Sequence, residues 1–167
     1  ITFRYAGGKL GISKDGPLLK MDFPATRAIE SDKLQLLARA LRARPVELYK
    51  SRDYLAIFKQ ESDVLELTPD FSALEKLDAL GIIVSAPGKD FEYVSRFFAP
   101  GAVINEDPVT GSAHCTLIPY WAENLGKATM RAFQASSRGG IIDCEYAGNR
   151  VVIAGQAVSY LEGIIWV

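Results

Sequence analysis

The chain has only two cysteines, one histidine and no cluster of lysine or arginine. Cys115 and Cys144 are too few for a disulfide scaffold and have no metal-ligand spacing, so no metal is expected and a reduced, cytoplasmic setting is the default. Net charge is −1, from 19 Lys and Arg against 20 Asp and Glu. Without an excess of either sign, neither nucleic acid nor an anionic membrane is an expected partner. No apolar run approaches the roughly 18 residues of a membrane-crossing helix, and no signal peptide is recognisable. Nor does the chain open on Met: Ile1 already lies in a β-branched, strand-like run, which reads as a beginning inside a fold.

What is present suffices for one good core, with 49% hydrophobic residues over 167 positions. The organising stretch is 105–125, NEDPVTGSAHCTLIPYWAENL. Two adjacent carboxylates, Glu106 and Asp107, precede the turn Pro108-Val109-Thr110-Gly111. Residues 112–125 then predict a helix. Ala113, Leu117, Trp121 and Leu125 recur every four residues, and Gly126 suits the left-handed position after a helix end. Ile118, Tyr120 and Ala122 lie off that stripe, so the helix is apolar round most of its girth and should be buried on all sides. Pro119 removes one of its backbone hydrogen bonds.

The flanking sequence reads mainly as strands. Residues 1–5 and 9–13 flank an Ala6-Gly7-Gly8 turn; 18–23 follows the Asp15-Gly16 turn, with Leu19, Met21 and Phe23 on one face. Ser31 is expected to cap a helix carrying Leu34, Leu37 and Leu41. Strands 46–50 and 53–60 are joined at Ser51-Arg52; Tyr54 and Phe58 share a face and read as core or sheet surface. Residues 64–67 read as a short strand and 69–80 as a helix. In the strand at 91–98, Arg96 is either a snorkelling surface arginine or a bidentate partner for Glu106 or Asp107. Short strands are expected at 129–136, 141–146, 150–154, 157–161 and 164–167. The whole is an α+β lobe, a curved and mostly antiparallel sheet wrapped round a central buried helix.

Chemistry can sit at the start of that helix. Its first N–H groups have no partner inside the helix, and the dipole favours an anion there. Gly111 lets a ligand approach the backbone, Thr110 or Ser112 can cap or face a ligand, and Asp107 is a candidate acid, base or acceptor. The ordinary alternative, a simple cap beside an acidic turn, has about equal weight from spacing alone.

Residues 90–140 resemble the PhzF family of phenazine-biosynthesis-like isomerases. Three blocks carry the resemblance in order: SRFFAP, the more specific EDPVTGSAHC with its helix, and the Q-x-S-x-RGG run at 134–140. A weaker match continues through RVVIAGQAV to LEG. The resemblance covers the whole chain but only part of the family's length. It implies a diaminopimelate epimerase-like fold of two helix-in-sheet lobes with the active site between them. It also implies isomerisation or epimerisation of a small carboxylic acid, such as a dihydro-hydroxyanthranilate, without metal or organic cofactor. Asp107 is then the catalytic residue and Gly111 and Ser112 bind substrate; Thr110 and His114 belong to the motif without an assigned role.

The family's first half, with its glutamate proton carrier and Gly-His motif, has no counterpart here. Residues 1–25 are therefore expected to complete a missing N-terminal lobe and 26–167 to form the C-terminal one. The expected partners are a carboxylate substrate and that missing lobe, with a homodimer left open, and the chain alone should be inactive. The competing class is a non-catalytic binding or dimerisation module. Related epimerases use a cysteine pair, but Cys115 lies beyond the first helical turn and reads as a small buried hydrophobe.

Overall fold

A computed structural model of the protein describes residues 1–5, 8–102 and 104–166. In chain order the elements are β1 (Thr2–Tyr5), β2 (Gly8–Asp15), β3 (Leu18–Pro24), β4 (Ile29–Glu30), α1 (Leu34–Leu41), β5 (Glu47–Lys50) and β6 (Tyr54–Ile57). Then follow α2 (Glu61–Leu65), α3 (Phe71–Leu74), β7 (Ile82–Pro87), β8 (Tyr93–Ala99), β9 (Ile104–Glu106), α4 (Gly111–Leu125), β10 (Thr129–Gln134), β11 (Gly140–Ala147) and β12 (Arg150–Gln156). All the strands join one sheet in the order β1-β2-β3-β12-β11-β10-β8-β7-β6-β5-β4, with β9 also on β8. Among the described residues only the β10–β8 and β6–β7 pairs are parallel.

The period-2 alternation of the central strands separates two cores. Leu55, Ile57, Ile83, Tyr93 and Phe97 face α4, while Tyr54, Ala56, Phe58, Ile82, Val84 and Phe98 face α1, α2 and α3. Tyr54 and Phe58 are thus core, on one face, as their spacing indicates. Strands before and after α4 in sequence both contribute to its enclosure, from Phe23 and Leu55 on one side to Ile142 and Ile153 on the other.

Helix α4 matches its expected span to within one residue, and Gly126 closes it in the left-handed conformation with φ of 64°. Along its length only Ser112 and the last turn are exposed; His114, Leu117 and Ile118 are wholly buried. Trp121 anchors it to the sheet by donating to Ser85 Oγ at 2.9 Å and stacking on Tyr93. Pro119 leaves the Cys115 carbonyl without its usual donor four residues on. The Thr26 backbone N–H supplies one at 2.9 Å, so the segment after β3 fills a gap that the proline creates.

Several expectations need correction. Residues 64–67 are not a strand: Glu61 and Asp63 occupy the first turn of α2, where acidic side chains are favoured, and Asp63 reaches back to the Gln60 N–H. The helix expected at 69–80 is a single turn, α3, capped by Asp70. Its continuation is drawn away because Asp78 binds Lys50, Lys33 and the Tyr54 hydroxyl. Ser31 is not the cap of α1; Lys33 occupies that position, and Ser31 Oγ only accepts its N–H at 3.4 Å. No strand forms at 157–161 or 164–166. The β12 ladder runs out at Gln156 opposite Leu18, where β3 begins, and beyond it Tyr160, Ile164 and Trp166 are exposed. Positions 6 and 7 of the expected first turn, and position 167, lie outside the described residues; β1 and β2 on either side of that turn pair antiparallel. The edge strand β1 leaves Ile1 and Phe3 exposed.

If enclosure of α4 dominates stability, Leu117→Ala should lower the free energy of unfolding in urea by about 2–5 kcal/mol. Leu125→Ala, in the exposed last turn, should change it by no more than about 0.5 kcal/mol.

Candidate functional site

The connection from β8 through α4 to the parallel strand β10 is a β-α-β crossover, and the loop leaving the carboxyl end of the first strand is where such units offer a binding site. Here the edge of β8 changes partner along its length. β10 pairs with it at Tyr93, Val94 and Ser95, and β9 takes over at Phe98 and Ala99. Into the opening between them fits the loop 107–110, with the Asp107 N–H donating to the Phe97 carbonyl at 3.0 Å.

Gln134, the last residue of β10, holds that loop. Its amide Nε2 donates to the Asp107 carbonyl at 2.9 Å and to Thr110 Oγ1 at 3.1 Å, while its Oε1 accepts the Thr110 N–H at 2.7 Å. Ser136 adds a bond to the Pro108 carbonyl at 3.0 Å. A side chain on Gly140 would strike Val109, so the same motif also makes room for the loop. Neither candidate cap forms a side-chain cap: Thr110 stands at the cap position, but its hydroxyl donates to Asp107 Oδ2.

The two neighbouring carboxylates are separated in role. Glu106 is gripped bidentately by Arg96, Nε to Oε1 at 2.6 Å and Nη2 to Oε2 at 3.1 Å. Arg96 Nη1 also donates to the carbonyls of Val64 and Leu67, and the guanidinium lies over the Phe98 ring. Of the two readings of Arg96, the structural partner is correct. Asp107 is left half-buried at the start of α4, and among the described residues only Thr110 bonds its carboxylate.

Beside it the Gly111 and Ser112 backbone N–H groups make no hydrogen bond among the described residues. A Cβ on Gly111 would meet no atom within 4 Å, and no left-handed backbone demands glycine there. A cavity of about 610 Å³ opens at this point, bounded by Gly111, Val109, Arg138, Ile12, Leu19 and Met21. Of the three candidate site residues Gly111 lines this cavity, while Asp107 and Ser112 flank it in sequence at the start of α4 without lining it. Among the described residues no group of three or more His, Cys, Asp or Glu side chains could hold a metal ion.

His114 does not line this cavity. It is completely buried, with Nδ1 2.8 Å from the Tyr93 hydroxyl, which in turn lies 3.4 Å from Cys144 Sγ. Burial pushes its pKa down to about 4, and the nearby Gln134 side chain acts weakly the other way. Burial likewise pushes the Cys144 thiol up to about 12 and raises the Tyr93 phenol and the Cys115 thiol. Both cysteines are free, and as protonated thiols both are poor nucleophiles.

Sequence reasoning gave Gln134 no role, although a signal was available: the inward face of β10 is Met130, Ala132, Gln134, and a polar amide in such a row must find partners. Ser136 and Arg138, quoted only within a motif, and Arg52, named only as a turn residue, had no comparable signal.

Over residues 7–163 the chain matches the family described as phenazine biosynthesis-like protein. It is 41% identical over 165 residues to an uncharacterized isomerase of Pseudomonas aeruginosa, and 42% identical over 166 residues to another of Halalkalibacterium halodurans. These alignments cover 99% and 97% of this chain but 64% and 63% of the relatives. A crystal structure of a PhzF family protein from Enterococcus faecalis superposes with a TM-score of 0.92 at 40% identity, over 100% of this chain and 65% of that one. The chain thus spans a little under two thirds of the length of these relatives.

Two measurements probe the setting of the site. Above pH 6.5, His114 is neutral whether folded or unfolded and contributes no pH dependence. Below it the unfolded chain takes up a proton that the buried ring refuses, so stability falls until the folded ring protonates near pH 4. The difference between wild type and His114→Gln in urea unfolding should therefore change by roughly 3 kcal/mol between pH 7 and pH 4. Replacing Gln134 with Leu strands the Thr110 N–H and the Asp107 carbonyl, and should lower stability by about 1–3 kcal/mol at pH 7.

Proposed function

The chain belongs to the phenazine biosynthesis-like, PhzF family, whose fold is diaminopimelate epimerase-like, and on that premise we propose that it forms one lobe of a cofactor-independent isomerase or epimerase. The reaction moves a proton on a small carboxylic acid held in a cleft between this lobe and a second one in a longer protein. The observation that carries the reading is the pairing of a half-buried, singly bonded Asp107 with two unused N–H groups over open space at Gly111.

The chemistry follows from those groups. Removing a proton from carbon next to a carboxylate or conjugated carbonyl builds negative charge on oxygen. Fixed N–H donors at a helix start stabilise that charge, because they are already aimed and need not reorganise. Asp107 takes or returns the proton, and the Thr110 hydroxyl fixes one of its oxygens so that the other can face the ligand. A second carboxylate from the opposing lobe serves the other position on the carbon skeleton. The names of the Pseudomonas aeruginosa and Halalkalibacterium halodurans relatives support the isomerase class.

Asp107→Asn in the complete two-lobed protein should fold normally, because an amide oxygen still accepts from Thr110. Its turnover of a dihydro-hydroxyanthranilate should fall roughly a hundredfold or more. Incorporation of solvent deuterium into product should fall in parallel. Wild-type turnover in this variant would remove Asp107 from catalysis and favour a binding module.

A further inference from the structure

Arg52, in the turn between β5 and β6, reaches the same helix start. Its Nη2 donates to Ser112 Oγ at 3.0 Å across 60 residues of sequence. Its Nε and Nη2 both donate to Asp53 Oδ2. The two partners of this ion pair differ sharply in setting, since the Arg52 side chain is 51% exposed and that of Asp53 3%. Asp53 Oδ1 and the neighbouring Ser51 Oγ are buried with no hydrogen-bond partner among the described residues.

As a stabilising device this arrangement is poor. An exposed guanidinium on a surface serine adds little. A carboxylate buried with half its lone pairs unmet loses hydration that a single pair does not restore. The arrangement does fix a guanidinium in one orientation at the start of α4, in contact with Ser112, the residue after Gly111. On that guanidinium Nη1 makes no hydrogen bond among the described residues, and the Nη1–Nη2 edge has the Ser112 hydroxyl where an anion's oxygen would stand. A planar fork of this kind fits a carboxylate bidentately.

We propose that Arg52, held by Asp53, determines specificity for the substrate's carboxylate. The anion displaces Ser112 Oγ from the guanidinium edge, and the freed hydroxyl turns to donate to it. Asp53 is a positioning residue that acts through Arg52. This inference rests on the reading of the α4 start as the anion seat.

The test is titration of the ¹⁵N-labelled chain with sodium benzoate at constant ionic strength, with benzamide and inorganic phosphate as comparison probes, reading the Gly111 and Ser112 amide signals. Benzoate should shift both signals saturably in the wild type. Arg52→Ala should weaken its binding roughly tenfold or more, while benzamide should behave alike in both proteins. Because removing Arg52 leaves Asp53 buried and alone, R52M/D53N provides a second variant without that penalty and should show the same loss. Failure of benzoate to move either signal in the wild type overturns the anion seat and this inference together. Saturable shifts with equal affinity in wild type and R52M/D53N leave the seat standing and overturn the role of Arg52. Phosphate binding that is tighter than benzoate and dependent on Arg52 overturns the carboxylate assignment.

Discussion

A helix without a polar face has to be enclosed, and α4 imposes that constraint on the lobe. Its enclosure needs strands on several sides, which is why the sheet runs from β3 round to β5 with residues of both ends in the same core. Its backbone must be satisfied as well as its side chains. Pro119 leaves one carbonyl unmet in the middle of the most buried helix, and the Thr26 N–H meets it. The stretch between β3 and β4 is therefore bound to the centre of the lobe by a bond that exists only because of that proline.

Enclosure also decides where the polar chemistry can be. With the flanks of α4 sealed, its exposed polar groups sit at its two ends, and the amino end emerges where β8 changes partner from β10 to β9. Three side chains then sort the local groups. Arg96 takes Glu106 out of play by holding both its oxygens, Gln134 fixes the loop backbone, and Thr110 fixes one oxygen of Asp107. One oxygen of Asp107 and two N–H donors remain uncommitted among the described residues at the start of α4. His114, the residue whose ordinary pKa would suit proton transfer, is excluded from the mouth by burial against Tyr93 and stays neutral.

The central element and its surroundings were legible from apolar periodicity, because 112–125 carries its burial in its own composition and Gly126 marks its end. The residues proposed for the site could be picked out for a related reason, since a carboxylate, a glycine and a helix start are neighbours in sequence. What failed was local order decided elsewhere in the chain. Residues 69–80 carry leucines at helical spacing, yet Asp78 answers to Lys33, Lys50 and Tyr54, which periodicity in that segment cannot register. The apolar run after Gln156 reads as strand, but a strand needs a neighbour, and β3 begins too late to supply one. Gln134 and Arg52 lie 24 and 60 residues from the groups they touch, so only the register of β10 on β8 and the position of the β5–β6 turn bring them to the site.

The mouth itself bears on the proposed chemistry. Donors at a helix start are weak stabilisers while water competes for the same oxyanion, and they gain strength only in a site from which water is excluded. Gly111, where the anion seat is proposed, lines a wide cavity whose walls include Ile12, Leu19 and Met21, and Leu19 is among the apolar side chains left exposed. A wall of that character is suited to being covered rather than to facing solvent. The proposed second lobe would therefore contribute more than a second carboxylate. By closing over the apolar wall it would dry the mouth, and the N–H groups, Arg52 and Asp107 would then act on the ligand at their full strength.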